Sequence, residues 1–259
     1  MWYLLILVPV VIFFIYLYTI FPARGRRAKS FSGLYVAHRG FHSQDIPENT
    51  LKAFSEAIDR GYGIELDLRL SLENTPVVCH DADLKRVFGC QEKVSEISEE
   101  DLAKIGVPSL KSVLELVSGE VPLVIELKGN KSDKILCEKT AELLDKYDGK
   151  YCIESFNPLH LKWFRKNRPD IIRGQLSTRF KKNPEAGGLI INFMLRHLLL
   201  NFISRPDFIA YEHIYADSFS LRMCALFGAE MFCWTPRNID EANKAKKRFR
   251  TFIFENFEP

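Results

Sequence analysis

From residue 34 onward the sequence alternates short apolar runs with helix-like stretches, and this alternation limits the possible folds more than any other feature. Nine runs have the length and composition of strands, and they lie near residues 34–38, 63–68, 76–80, 122–127, 151–155, 171–176, 207–211, 229–234 and 251–254. Strands that alternate with helices favour a parallel sheet, and eight such units close into a (β/α)8 TIM barrel. Because nine runs compete for eight places, we expect one of the last three to lie outside the barrel.

Carboxylates recur on one face of two of these runs. Glu65 and Asp67 are two residues apart, so their side chains leave the same face if 63–68 is a strand. Glu126 and Lys128 continue the same alternation at the end of the run 122–127. Hard divalent cations prefer oxygen ligands, and functional residues of parallel barrels gather where the strands end. The pattern therefore predicts a metal site at the mouth of the barrel.

Two histidines each end a short apolar run. His38 follows residues 34–37, and His80 follows residues 77–79. Histidine gains and loses a proton near neutral pH, so both are candidates for proton transfer. A single histidine after a strand is more often a loop or core residue than a catalyst. Two of them together with the carboxylate pair are hard to explain as surface charge, and the combination indicates metal-assisted phosphodiester chemistry.

These fragments, in this order, resemble the glycerophosphodiester phosphodiesterase family. The matching fragments are His38-Arg39-Gly40, Pro47-Glu48-Asn49-Thr50, Glu65-Leu66-Asp67, Pro76-Val77-Val78-Cys79-His80-Asp81, Ile125-Glu126-Leu127-Lys128, Ser155-Phe156 and Trp234-Thr235. The likeness covers about residues 34 to 259. The resemblance implies that Glu65, Asp67 and Glu126 bind a divalent metal ion, Mg²⁺ or Ca²⁺. It also implies that His38 and His80 are the catalytic acid and base.

The same resemblance assigns further residues and shows where this chain departs from the family. It implies that Arg39 and Lys128 contact phosphate, that Trp234 binds substrate and that Glu48 lies beside the metal. This chain carries Glu73-Asn74 where the family usually has Asp-Gly in a turn, and Glu255-Asn256 where it usually has Thr-Asp. The contribution of the last strand is therefore left open.

The resemblance implies hydrolysis of a glycerophosphodiester, or of a lysophospholipid, to an alcohol and glycerol 3-phosphate or a related phosphomonoester. One alternative is a phospholipase of the phosphatidylinositol-specific or sphingomyelinase D type on the same barrel, but the pair Glu126 and Lys128 fits the first activity better. A second alternative is a catalytically inactive, membrane-tethered binding protein, and the presence of both histidines counts against it. A zinc hydrolase is disfavoured because a carboxylate-rich site suits a harder ion.

The amino-terminal segment predicts a membrane anchor. Residues 2–21 contain no charged side chain, and a helix of that length, at about 1.5 Å per residue, spans a hydrocarbon core of roughly 30 Å. Four basic residues follow this run: Arg24, Arg26, Arg27 and Lys29. No positive charge precedes the run, which disfavours a cleaved signal peptide. We predict a transmembrane anchor at 1–22, a basic tether at 23–33 and a cytoplasmic catalytic domain at 34–259.

Residues 189–203 form a second unusually apolar segment, LIINFMLRHLLLNFI. A helix of this length reaches only about 22 Å, so it is too short to span a bilayer. Packing against the barrel, a dimer contact and a position in the membrane interface stay open. The segment follows the sixth predicted strand and so belongs to the mouth of the barrel, which favours the interface.

Composition excludes one class of partner. A formal net charge of +3, from 36 basic and 33 acidic residues, produces no field that would suggest nucleic acid. The 6 cysteines form no CxxC pair, and they are typical of reduced residues in a cytoplasmic protein. The sequence does not predict an oligomeric state.

Overall fold

The computed structural model describes residues 2–23, 27–129, 134–180 and 188–259, and its centre is a closed barrel of parallel strands. The strands are β1 Tyr35–Ala37, β2 Gly63–Leu70, β3 Pro76–Val78, β4 Leu123–Leu127, β5 Tyr151–Ser155, β6 Arg173–Ser177, β7 Phe208–Glu212, β8 Glu230–Trp234 and β9 Thr251–Phe254. The barrel order is β1-β2-β4-β5-β6-β7-β8-β9, and β9 pairs with β1 to close it. The predicted TIM barrel is confirmed.

The strand outside the barrel is β3, so the prediction that one of the last three runs is excluded was wrong. β3 pairs antiparallel with β2, with Val78 opposite Leu68. The connection of residues 71–75 is too short for the crossover that a parallel pair requires. The hairpin turns the chain back toward the barrel, where the Cys79 N–H donates to the carbonyl oxygen of Asp67 at 2.9 Å. His80 is therefore next to β2 although it does not end a barrel strand.

Helices cover the outside of the barrel. The α-helices of the described residues are α1 Trp2–Ile20, α2 Leu51–Asp59, α3 Lys85–Phe88, α4 Glu99–Lys104, α5 Leu110–Val117, α6 Lys134–Leu144, α7 Pro158–Asn167, α8 Leu189–Arg196, α9 Asn201–Ser204, α10 Phe219–Leu226 and α11 Ile239–Ala245. Single 3-10 turns lie at Arg27–Phe31, Val94–Glu96 and His213–Tyr215. Thr50 caps α2 by accepting a hydrogen bond from the Ala53 N–H, and threonine is among the residues preferred at this position.

Side chains alternate across the barrel wall. Ile125 on β4 is buried together with Phe54 of α2, so its side chain faces the helices. Its neighbour Val124 is buried instead with Phe208 and Phe232 from strands on the far side, so it faces the barrel axis. Successive residues of a strand point to opposite faces, and the alternation carries on toward the carboxyl ends. The inward positions there are polar, and the carboxyl ends of the strands form what we call the mouth.

The amino-terminal apolar segment is helical, as α1. Within the ranges given above, no helix is both long and apolar enough to cross a membrane, so the predicted transmembrane helix is not supported. The end of α1 lies against the barrel instead. Ile20 is fully buried, and its carbonyl accepts a hydrogen bond from Asn201 Nδ2 at 3.0 Å. Arg205 donates to the carbonyls of Tyr18 at 3.1 Å and Phe21 at 2.7 Å.

Part of the predicted tether is packed against the barrel. The turn Arg27–Phe31 lies at the amino-terminal end of the strands, where Ala28 and Phe31 are fully buried. Arg27 forms an ion pair of 2.9 Å with Asp207, the residue directly before β7. These residues close the end of the barrel opposite the mouth. The basic residues Arg24 and Arg26 lie outside the described residues.

Candidate active site

The structure brings the predicted site residues together at the mouth. Glu65 and Asp67 lie on β2, Glu126 lies on β4, and Lys128 follows Glu126 on the same face of the strand. His38 and Arg39 follow β1 directly, and His80 follows β3. Only Trp234, at the end of β8, lies apart from the charged group, among aromatic side chains. Every site residue predicted from the sequence is among the described residues.

Glu65, Asp67 and Glu126 form an acidic triad. Their side chains are buried, and one carboxylate oxygen of each lies within 4.8 Å of the others. The register explains this proximity because Asp67 and Glu126 are direct neighbours on the adjacent strands β2 and β4. Three hard oxygen donors this close together fit a divalent cation such as Mg²⁺ or Ca²⁺.

Two cationic side chains offset part of the charge of the triad. Lys128 Nζ lies 2.9 Å from Glu126 and 3.3 Å from Asp67, and Arg39 Nε lies 3.3 Å from Asp67. Burial raises the pKa of Asp67, but Lys128 and Arg39 outweigh this effect and hold it well below its usual range. Burial, reinforced by Asp67 and Glu126, raises the pKa of Glu65 well above its usual range.

Burial and Lys128 also have opposite effects on the pKa of Glu126, but here burial has the larger effect. Burial raises its pKa to about 7, and Lys128 offsets part of that increase. Metal ligands bind in their deprotonated form, so a divalent cation would displace the protons that Glu65 and Glu126 otherwise tend to keep. The charge balance of the triad therefore also fits a bound cation.

Each histidine is held by a carboxylate. His38 Nδ1 lies 2.8 Å from Glu255 Oε2, and His80 Nδ1 lies 2.7 Å from Asp81 Oδ1. A hydrogen bond at one ring nitrogen fixes the ring and the tautomer, which leaves Nε2 for proton exchange. Burial lowers the pKa of both histidines, and the carboxylate partners offset part of that decrease. Both imidazoles thus tend toward the neutral form at pH 7.

Glu255 is a functional residue whose role the sequence reasoning missed. The departure Glu255-Asn256 left the last strand's contribution open, yet Glu255 orients His38. The signal was present in the alternation of β9, since Ile253 faces the barrel axis and Glu255 is two residues further along. The hydrogen bond to His38 lowers the pKa of Glu255 to about 2 against the effect of burial.

The sequence reasoning also missed Arg86, in α3, which connects two carboxylates of the mouth, Glu48 and Asp81. It donates to both oxygens of Glu48 at 2.7 Å and to Asp81 at 2.6 Å. Glu48 also accepts a hydrogen bond from Arg39 at 2.7 Å. Glu48 thus contacts two guanidinium groups, one of which, Arg39, also contacts Asp67 of the triad.

Aromatic side chains form the part of the mouth that follows β5, β6 and β8. The Phe156 ring lies 5.7 Å from Trp234 and 5.8 Å from Phe180, both edge to face. Phe180 also packs with Leu195 of α8. The mouth therefore has a charged side suited to a phosphodiester and an apolar side suited to an organic substituent.

Comparisons with known proteins agree with this geometry. Residues 38–256 match the glycerophosphoryl diester phosphodiesterase family. YhdW of Bacillus subtilis, by its name a candidate glycerophosphodiester phosphodiesterase, is 27% identical over 225 residues, which are 81% of this chain and 88% of YhdW. Lysophospholipase D GDPD1 of Rattus norvegicus is 31% identical over 142 residues, 47% of this chain and 44% of that protein. The crystal structure of a glycerophosphodiester phosphodiesterase from Thermotoga maritima has a TM-score of 0.68 and 28% identity, and the match covers 85% of this chain and 93% of that one.

Proposed function

The chain belongs to the glycerophosphoryl diester phosphodiesterase family, and we propose that it hydrolyses glycerophosphodiesters or lysophospholipids to an alcohol and glycerol 3-phosphate or a related phosphomonoester. The main support for this proposal is that the structure combines two histidines with the buried acidic triad. Each histidine, His38 and His80, is hydrogen-bonded to a carboxylate. An inactive binding protein would not need both histidines to be oriented in this way.

Within this proposal, the charged side chains bind and polarise the phosphodiester. Glu65, Asp67 and Glu126 would hold a divalent cation, Mg²⁺ or Ca²⁺, which neutralises phosphate charge and stabilises the charge that develops during displacement. Arg39 and Lys128 present a guanidinium and an ammonium group at the same place, and both can bind phosphate oxygens.

His38 and His80 divide the proton transfers. One takes a proton from the attacking hydroxyl group, and the other gives a proton to the departing alkoxide. The carboxylates of Glu255 and Asp81 hold Nδ1 of each ring, so both transfers occur at Nε2. Trp234 and Phe156 would contact the organic substituent because they supply the apolar side of the mouth.

The activity is tested with purified full-length protein and a panel of phosphodiesters. Glycerophosphocholine, glycerophosphoethanolamine, glycerophosphoglycerol and lysophosphatidylcholine are incubated with Mg²⁺ or Ca²⁺, and the products are followed by ³¹P NMR. We expect glycerol 3-phosphate or lysophosphatidate to accumulate. Release of phosphocholine, or a stable cyclic phosphate, would instead support a phospholipase of another type, and a lack of turnover on every substrate with either metal would contradict the proposal.

We also propose that the mouth faces a lipid surface, and the direction of α1 supports this. Tyr16 Oη lies 3.0 Å from Ser220 Oγ in the first turn of α10, near the mouth. The Ala23 N–H donates to the carbonyl of Pro206, just before β7 at the opposite end of the barrel. The chain thus runs away from the mouth over these residues, and the part of α1 before Tyr16 extends beyond it. Apolar side chains are exposed there, among them Tyr3, Leu5, Ile6, Ile12 and Phe14.

α8 adds apolar surface at the same end of the barrel. Leu189, Ile190 and Phe193 are 91%, 77% and 57% exposed. The carbonyl of Leu195 accepts a hydrogen bond from Ser177 Oγ at 2.9 Å, at the carboxyl end of β6, which holds α8 over the mouth. The second part of the segment 189–203 is packed instead, since Leu198 and Asn201 are buried. The lipid contact would therefore be confined to α8 and α1.

The lipid contact predicts a substrate-selective defect. Replacement of Leu189, Ile190 and Phe193 by Asn should lower hydrolysis of lysophosphatidylcholine in phosphatidylglycerol-containing vesicles while leaving kcat/KM for glycerophosphocholine near the wild-type value. A fully buried large apolar side chain contributes roughly 1.5–3 kcal/mol, so full insertion of all three would change vesicle affinity by about a thousandfold or more. Vesicle co-sedimentation and both rates are measured.

Leu226 provides the control because it is 73% exposed at the far end of α10, away from the mouth. Leu226→Asn should leave both activities unchanged. Equal losses on soluble and vesicle substrates in the triple variant would contradict the lipid contact. The cytoplasmic position of the barrel stays a prediction from the basic residues after the apolar run.

A further inference from the structure

Glu154 is a buried acidic residue at the mouth to which the mechanism above gives no role. It lies on β5 and is the direct register partner of Glu126 on β4. Neighbouring strands are about 4.8 Å apart, so the two backbones lie side by side at the level of the triad. Glu154 is 1% exposed, and its Oε2 has no hydrogen-bond partner within the part of the chain that the structure describes.

The side chain of Glu154 faces the barrel axis, as the side chains of the triad do. Cys152, two residues earlier on β5, is buried with the inward-facing residues Val124 and Phe208. The alternation of the strand therefore turns Glu154 to the same side, as it does Glu126 two residues after Val124. A buried carboxylate without a partner is costly, so an unpaired oxygen at this place calls for a ligand.

The net charge of the groups at the mouth indicates the charge of the ligand that would fit there. Glu154 and the three residues of the triad carry four carboxylates, whereas the cations that contact the triad are Lys128 and Arg39. When all four carboxylates are ionised, the excess of two negative charges equals the charge of one divalent cation. Without Glu154 the same cation would leave a net positive charge.

We propose that Glu154 is a fourth carboxylate of the metal centre and that it strengthens the binding of a divalent cation by the triad. This inference rests on the proposed function. Glu154 lies outside the group of oxygens within 4.8 Å of one another, so its charge would act on the ion from beyond the three direct ligands. Carboxylates that orient the inner ligands of metal sites typically change metal affinity about 10–100-fold.

The test is a metal titration of the full chain. Metal-free wild type and Glu154→Gln are titrated with Mn²⁺, Mg²⁺ and Ca²⁺ by isothermal calorimetry, without substrate. We expect the Kd of the variant to be about 10–100 times that of the wild type. The matched control is Glu120→Gln, which removes an exposed carboxylate on the protein surface and should leave the Kd unchanged.

An unchanged Kd in Glu154→Gln would overturn the inference, and so would an equal loss in the surface control. Circular dichroism establishes that the variant is folded. If Gln prevents folding, Glu154→Met is titrated instead, because Met is apolar and of similar length, and the same two outcomes apply. Wild-type protein that hydrolyses phosphodiesters while Glu154→Gln keeps the wild-type Kd would refute the role of Glu154 alone. Wild-type protein that binds metal but hydrolyses no phosphodiester would refute the proposed function alone.

Discussion

His38→Ala and His80→Ala should each lower kcat for glycerophosphocholine by about 10²–10⁴-fold, the range expected when one proton transfer loses its catalyst. KM should change much less, because Arg39 and Lys128, the two residues proposed to bind the phosphate, are unchanged. Neither ring fills core space, since both lie half-buried at the mouth, so the melting temperature should stay close to the wild-type value. Steady-state kinetics and thermal melts followed by circular dichroism measure both effects.

Two further variants separate proton transfer from a general effect of the substitution. Glu255→Gln keeps a hydrogen-bond partner for His38 but removes the charge, so it should cost less than His38→Ala and shift the pH profile of kcat. His197→Ala changes a ring that packs on Phe193 at the end of α8, and it should leave hydrolysis of the soluble substrate unaffected. Wild-type kcat in both His38→Ala and His80→Ala would show that the assignment of acid and base is wrong.

The barrel and the triad could be predicted because each depends on a local pattern. The spacing of Glu65 and Asp67 sets their common face on any strand, whatever the rest of the fold. Parallel strands then bring Glu126 beside Asp67, since the register of β2 and β4 places them opposite each other. That β2 and β4 are neighbours did not follow from the alternation, because the run 76–80 was counted as a barrel strand between them, and the family resemblance supplied Glu126 as the third ligand.

The position of β3 could not be read from that alternation. An apolar run of three residues has the same composition in a barrel strand and in a hairpin, so periodicity does not reveal which neighbour it pairs with. The short polar connection after β2 was the available signal, because a parallel crossover needs a dozen or more residues. The hairpin also explains why His80 lies next to β2 without ending a barrel strand, since the preceding Cys79 N–H donates to the carbonyl oxygen of Asp67.

The packing of the end of α1 against the barrel could not be predicted from hydropathy, because hydropathy measures only how strongly a segment avoids water and not what it packs against. The sequence does not reveal that Asn201 and Arg205, about 180 residues away, bind the last carbonyls of this segment. Arg86 was missed for the same reason. Its partner Glu48 is 38 residues away, and α3 brings the two together only in the folded protein.

Removal of the metal or of its ligands should have the second large effect. EDTA should abolish turnover by the wild type, and Glu65→Gln, Asp67→Asn and Glu126→Gln should each lose activity that a high metal concentration partly restores. Each substitution removes one negative charge from a buried group of three, so the main loss should be in metal affinity. Calorimetric titration with Mn²⁺ and the rate as a function of Mg²⁺ concentration measure it.

Two of these variants, Asp67→Asn and Glu65→Gln, should differ in stability without metal. The pKa of Asp67 lies well below its usual range because of Lys128 and Arg39, so its charge stabilises the fold above the unfolded-state pKa, and this contribution is lost as the pH falls toward the folded-state pKa. Asp67→Asn should therefore lower the metal-free melting temperature at pH 7. The pKa of Glu65 is raised well above its usual range, so its ionised form destabilises the fold at higher pH, and Glu65→Gln should leave the melting temperature equal or higher.

These stability differences allow a loss of metal binding to be separated from a loss of structure. Glu65→Gln is the decisive variant, because it should fold at least as well as the wild type and still bind Mn²⁺ much more weakly. Protein shown to be metal-free by elemental analysis that keeps the full wild-type rate would contradict the metal site. So would a Glu65→Gln protein with wild-type Mn²⁺ affinity, because the triad holds its carboxylate oxygens within 4.8 Å of one another, close enough for one cation to take all three as ligands.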